Sequence, residues 1–247
     1  MRKRNLASAV AAAMGVVSTM MVTTAFAVPV TFFGEDLNGP PQNDPNELAA
    51  TPNADAARAT FLSNLVGVGT EDFEALAGAP PITLVFPGAG QATLTGGVGV
   101  ANSNDGAGRY AISGNNYYYG GSGNFNIAFD TPIAAFGFYG VDIGDYGADL
   151  TLVLTDTNGV NSVLSVPLTL GSNGNLSGSV IYFGFYDTAT QYTAIAFQNS
   201  SGGGDNFGFD DMTIGSLEQV NPVPEPASLA LVGLGLAGLG ALRRRKA

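Results

Sequence analysis

Three features of the chain predict a mainly β fold, an antiparallel, jelly-roll-like β-sandwich with one short N-terminal helix. About nine β-rich runs of five to nine residues follow one another, separated by clusters of Gly, Asn and Asp. No helical period lies between these runs, which argues against parallel crossovers. Glycine is abundant (35 of 247 residues) and charged residues are only 12%, the composition of short strands joined by many turns.

Taken in order, residues 1–27 read as a signal peptide. Arg2, Lys3 and Arg4 form a basic start, and Leu6 to Val22 is an apolar stretch. Ala25 and Ala27 are the small residues that signal peptidase requires, which places cleavage after Ala27 and sends the chain across the inner membrane. Residues 28–70 are a lead-in segment, irregular from Val28 to Glu47, where Pro, Asn and Asp are frequent. A short helix follows. Thr51 is a suitable N-cap, Pro52 suits the first helical position, and Ala54, Ala57, Phe61, Leu62 and Leu65 share one face. Gly67 and Gly69 end it.

Residues 71–217 carry the strand period. The runs are Ile82–Phe86, Gln91–Thr95, Asn124–Phe129, Ile133–Val141, Ala148–Thr155, Val160–Leu168, Val180–Tyr186, Thr193–Gln198 and Phe207–Ile214. Thr157, Asn158 and Gly159 join two of them, and Asn-Gly is a strong hairpin signal. The segments 96–108 and 171–179 read as surface loops. Tyr117 and Tyr119 share a face opposite Tyr118; their expected role is packing, since no tryptophan is present to build a sugar platform.

Composition excludes several chemistries. With neither cysteine nor histidine, disulfides, thiolate or imidazole metal sites, and Ser-His-Asp or Cys-His catalysis are impossible. Between Val28 and Val220 only Arg58 and Arg109 stand against nineteen acidic residues. Such a domain repels nucleic acid and anionic membrane surfaces and attracts divalent cations or basic partners. No acid is identifiable as a proton donor with a raised pKa, so an enzyme is not expected.

Residues 218–226 are a linker containing Pro224, Glu225 and Pro226, and residues 227–247 read as a transmembrane helix with a basic tail. Ala227 to Leu242 is uncharged and, as a helix, about 24 Å long, close to a ~30 Å hydrocarbon core. Arg243, Arg244, Arg245 and Lys246 place that end in the cytoplasm, so the domain before it lies outside. Gly233, Gly235 and Gly238 spell G-x-G-x-x-G, but no strand precedes them and no βαβ unit surrounds them, so a dinucleotide site is not implied.

The order Pro-Glu-Pro, apolar helix, arginine cluster resembles the PEP-CTERM sorting signal of Gram-negative bacteria that make exopolysaccharide. The resemblance implies recognition of Pro224, Glu225 and Pro226 by exosortase, a membrane enzyme that removes the helix and tail. It also implies transient anchoring in the inner membrane, then delivery to the outer membrane surface or the extracellular matrix.

The domain is similar, more loosely, to ectodomains found with that signal, through Asp72-Phe73-Glu74, Phe136-Gly137-Phe138 and Phe207 to Met212. These look like galactose-binding and carbohydrate-binding jelly rolls, in which an early Glu and a terminal-strand Asp often help hold a structural calcium. The residues themselves raise the same point. Strict alternation puts Phe207, Phe209 and Asp211 on one face and Asp210, Met212 and Ile214 on the other, so one carboxylate must face the core. That carboxylate needs a cation or hydrogen-bond donors, and Ca²⁺ held by Glu74, Asp210 and Asp211 is the candidate site. Asp142, Asp145 and Asp149 read instead as a solvated turn. The expected function is a non-enzymatic structural or binding protein of the cell surface or biofilm matrix. A carbohydrate-binding module for exopolysaccharide is the first alternative, and a glycan-degrading enzyme the second.

Overall fold

The computed structural model describes residues 28–39, 47–102, 104, 106–200 and 205–220. The signal peptide with Ala25 and Ala27, the motif Pro224, Glu225 and Pro226, and the apolar segment 227–247 lie outside the described residues. Among the described residues no helix is long and apolar enough to cross a membrane.

The fold is an antiparallel sandwich of two sheets with one short helix. The first sheet runs β1 (Val30–Asp36), β11 (Val180–Tyr186), β8 (Ala135–Val141), β13 (Phe207–Gly215), β6 (Tyr117–Gly121), β5 (Gly99–Ala101), with β2 (Gly69–Glu71) also paired to β13. The second runs β10 (Asn161–Ser165), β9 (Leu150–Asp156), β12 (Tyr192–Asn199), β7 (Phe125–Ile133), β4 (Gly90–Gly96), β3 (Ile82–Phe86). Three hairpins, β3–β4, β5–β6 and β9–β10, stay within a sheet. Most other connections cross from one sheet to the other.

Rings fill the space between the sheets. Phe125 stacks on Phe197 at 4.2 Å, and Phe209 meets both edge-on at 4.9 and 5.3 Å. Phe138 closes on Phe197 at 5.2 Å. Such pairs add roughly 0.5–1.5 kcal/mol each beyond their burial.

A Phe-Gly-Phe triplet occurs in β8, β11 and β13, and the sandwich explains it. In β8 and β11 the triplets lie in register, Phe136 opposite Phe185, Gly137 opposite Gly184 and Phe138 opposite Phe183. The phenylalanines face the inter-sheet core, so the glycines face outward beneath the helix α1 (Pro52–Leu62). A Cβ on Gly184 would lie 3.0 Å from the Phe61 ring, and one on Gly137 would lie 2.9 Å from it. Glycine there lets Phe61 sit directly on the sheet, with Ala54, Ala57 and Tyr182 around it in a second core. β8 and β11 are consequently buried on both faces, and β13 is too, with segment 112–113 over its Asp210, whereas β3 and β7 alternate between buried and exposed positions.

Two expectations change. The stretch read as an irregular lead-in contains β1, which pairs along its whole length with β11. As an edge strand it shows no clean alternation of burial, which hides it from a periodicity reading. Thr51 gives no side-chain cap to α1; Asp36, at the end of β1, does so instead. Its carboxylate accepts from the Asn53 amide at 3.1 Å and the Ala54 amide at 2.9 Å.

The β9–β10 hairpin forms where Asn158-Gly159 predicts it, with a three-residue loop. The Gly159 amide donates to the Asp156 carbonyl, Gly159 is left-handed at φ 78°, and the Asp156 side chain accepts from the Asn158 and Val160 amides.

Candidate functional site: two groups of buried carboxylates

The alternation expected in the last strand is broken. The pairing of β13 with β8 shifts between Asp210 and Thr213, and Asp211 sits at φ 47°. This bulge puts Phe207, Phe209, Met212 and Ile214 all into the inter-sheet core, and both carboxylates escape it. They project to the outer face, under segment 110–116 and α1.

There they are already partnered. Asp210, fully buried, accepts from the Ile112 and Ser113 amides at 2.8 and 3.0 Å, and from the Asp211 amide. Asp211 accepts from the Ser113 hydroxyl at 2.8 Å and pairs with Arg58 at 3.5 Å. Glu74 accepts from the Asn115 and Asn116 amides at 2.7 and 2.5 Å. Glu74 and Asp210 thus hold successive stretches of one loop, 112–116, and the Asn116 side chain returns bonds to the Phe73 and Glu74 carbonyls. Among the described residues no three acidic side chains gather in a way that could hold a metal ion. The donors that Asp210 and Asp211 require on the outer face are supplied by backbone amides, the Ser113 hydroxyl and Arg58. Burial pushes Asp210 up to about 7, with the Asp211 charge adding to it and the amide bonds opposing.

The second group corrects the solvated-turn reading. Asp149 is exposed, but Asp142 and Asp145 are 2% and 3% exposed. Asp205, 0% exposed, joins them from the segment leading into β13. Its Oδ2 accepts from the Gly144 and Tyr146 amides at 3.1 and 3.3 Å, while Oδ1 is buried with no donor. The Asp145 carboxyl lies against that of Asp205. Asp142 accepts from the Gly178 amide at 2.9 Å, and its other oxygen is 3.5 Å from Arg109. The Arg109 guanidinium also lies over the Tyr119 ring at 5.0 Å.

Burial pushes Asp142 up to about 7 and Asp145 up to about 8, the latter also through the charges of Asp142 and Asp205. Asp205 is raised as well, mainly by burial.

Asp205 and Arg109 were not flagged by the motif reading. A signal existed for Asp205, since the alternation of Phe209 and Phe207 carried one step back puts it on the core side. Nothing local marks Arg109. The tyrosine run behaves as expected for packing, with Tyr117 and Tyr118 buried and Tyr118 stacked on Phe73 at 6.0 Å. The exposed tyrosine is Tyr146, 54% exposed, on the loop that Asp205 holds.

Three solved structures show a loose likeness. They are the K2 cleaved adhesin domain of Lys-gingipain (15% identity, 60% of this chain and 97% of that chain, TM-score 0.33), TmCBM61 in complex with β-1,4-galactotriose (16%, 59% and 94%, 0.30), and the CBM22-1 xylan-binding domain from Paenibacillus barcinonensis Xyn10C (15%, 64% and 99%, 0.35). No curated protein matches the chain. Residues 222–246, which include Pro224, Glu225 and Pro226, match the family model of the PEP-CTERM protein-sorting motif, and the chain is therefore a protein that carries this sorting signal.

Proposed function

We propose that this is an exported, non-enzymatic protein of the cell surface or extracellular matrix, anchored transiently through 227–247 and released by exosortase. The observation that carries the reading is the PEP-CTERM motif at residues 222–246. The basic start and Ala25-x-Ala27 agree with it, because both ends then assign the intervening domain to the outside. A non-catalytic role is supported by the raised carboxyls. Asp142, Asp145, Asp205 and Asp210 are all sealed from solvent, and Asp145 touches Asp205. A glycosidase pair stands ~5 Å or more apart around an open cleft. Intact-mass and terminal-peptide analysis of the protein from its native cells, with and without exosortase, tests the route. The expected mature chain starts at Val28 and lacks the residues after the Pro-Glu-Pro motif. Retention of 227–247 in exosortase-bearing cells would refute it.

A carbohydrate-binding role has one observation in its favour. A shallow groove of about 160 Å³ is lined by Asn102, Asn104, Asn115, Glu47 and Tyr110. Amide side chains both donate and accept, as an array of sugar hydroxyls requires. Binding of the organism's exopolysaccharide to the full chain, weakened about tenfold by Asn102→Ala with Asn115→Ala, is the expected result. Equal binding by the double variant would remove the groove from consideration.

A further inference from the structure

The buried acid group at the end of β8 leaves a polar atom unanswered. Asp205 Oδ1 has no donor although the residue is 0% exposed. An unpaired buried carboxylate oxygen is costly, and the Asp205 side chain lies beside another acid, Asp145. Arg109 is within ion-pair reach of Asp142, so a second negative charge on the Asp145–Asp205 pair goes uncompensated. Segment 168–178, which packs on the same loop through the Gly171 and Gly174 amides, contains no titratable side chain.

We infer that Asp145 and Asp205 share one proton, Asp145 donating its O–H to Asp205 Oδ1, so that a buried acid pair clasps loop 142–149 to the start of β13 and opens as pH rises. The remaining bonds fit this division. Asp205 is the ionised partner, since the Gly144 and Tyr146 amides both donate to it. Asp145 is the neutral partner, with the Tyr146 amide alone against the three amides, of Gly144, Tyr146 and Ala148, that serve Asp205. The consequence is a pH-sensitive loop at one end of the sandwich, and that loop carries the exposed Tyr146 ring. Below the transition Tyr146 is fixed by its amide bond to Asp205. Above it, two charges face each other in a buried space and the loop is pushed away.

The test is a carboxyl-carbon NMR titration of the full chain, labelled at aspartate, with Asp145→Asn for assignment. One aspartate should titrate near the value of about 8 to which burial raises Asp145, and that resonance should vanish in Asp145→Asn. The variant should also melt with a smaller loss between pH 5 and pH 8.5 than the parent, because its amide donates to Oδ1 at every pH. If Asp145→Asn fails to fold, amide exchange in the parent chain gives the same answer. Protection of Gly144 and Tyr146, corrected for base catalysis, should fall on passing pH 8. An Asp145 that titrates near 4, or protection unchanged across that pH, overturns the inference. So does a calcium-dependent rise in melting temperature that Asp145→Asn abolishes, which would put a cation rather than a proton between the two.

Discussion

Asp36→Ala should destabilise the domain by about 2–4 kcal/mol, although the residue lies in a stretch that reads from sequence as an irregular lead-in. Asp36 is 8% exposed, and its two oxygens receive the Asn53 amide, the Ala54 amide and the Asn53 side chain. It occupies the place of an N-cap from another element. Loss of an N-cap costs roughly 0.5–2 kcal/mol. Of the amides left behind, that of Ala54 is buried, in a helix whose Ala54, Ala57 and Phe61 seat on the sheet, and a buried donor without a partner costs about 1–3 kcal/mol more. Asp36→Asn keeps one acceptor oxygen and loses the charge at the positive helix end, so about 1 kcal/mol is expected. Urea titration of the full chain measures both. With an m-value of about 2–3 kcal/mol/M, Asp36→Ala should lower the midpoint by about 1 M. A midpoint within about 0.2 M of the parent would refute the claim that β1 caps α1 and that the helix is part of the cooperative fold.

Gly184→Ala places a methyl 3.0 Å from the Phe61 ring, and overpacking of this kind should cost about 1–3 kcal/mol in the same titration. Gly159→Ala forces a side chain into the left-handed region at φ 78° and should cost about 1 kcal/mol through the β9–β10 hairpin. Asp142 and Asp210 stand near 7 when folded against an ordinary value of 3.8, so the native state holds protons that the unfolded chain releases. The stability they contribute is complete below about pH 4 and is lost as pH rises toward 7, so the melting temperature should fall across that window, with a shallower slope in Asp210→Asn. Chelator should leave the Glu74–Asp210–Asp211 region unmoved, seen as unchanged exchange of the Ile112 and Ser113 amides in EDTA; a loss of their protection would show calcium at that site.

What could be read from residues alone follows a physical line. Strands of the second sheet were legible because one face is wet, so β3 and β9 alternate, and β3 was placed to the residue. The central strands β8 and β11 were legible by apolar density rather than alternation, being covered on both faces. β1, β2, β5 and β6 were not among the strand runs, because short or edge strands take their order from their partners; β1 from the distant β11, for instance. The bulge in β13 was hidden for a related reason. Nothing in Phe209-Asp210-Asp211-Met212 announces a non-glycine residue at φ 47°, yet that one residue decides which way two carboxylates point. It is the hydrophobic demand of Met212 and Ile214, set against that of Phe207 and Phe209, that makes the bulge necessary.

The same residues explain how a domain with two arginines tolerates so many acids. Its buried carboxylates are matched chiefly to backbone amides, some two or three residues on and others in segments remote in sequence. Glu71 holds the Phe73 and Val85 amides, Asp210 those of Ile112 and Ser113, Asp205 those of Gly144 and Tyr146, and Asp187 those of Ala189 and Thr190. An amide cannot be lost by mutation as a lysine can, and a loop rich in glycine can turn its N–H groups toward one acceptor. A carboxylate anchor therefore fixes an irregular loop without a disulfide or an opposite charge, in a chain that has no cysteine and few bases. Where two such anchors meet, at Asp145 and Asp205, the amides of Gly144, Tyr146 and Ala148 favour Asp205 and only that of Tyr146 reaches Asp145, the imbalance that the shared proton would settle.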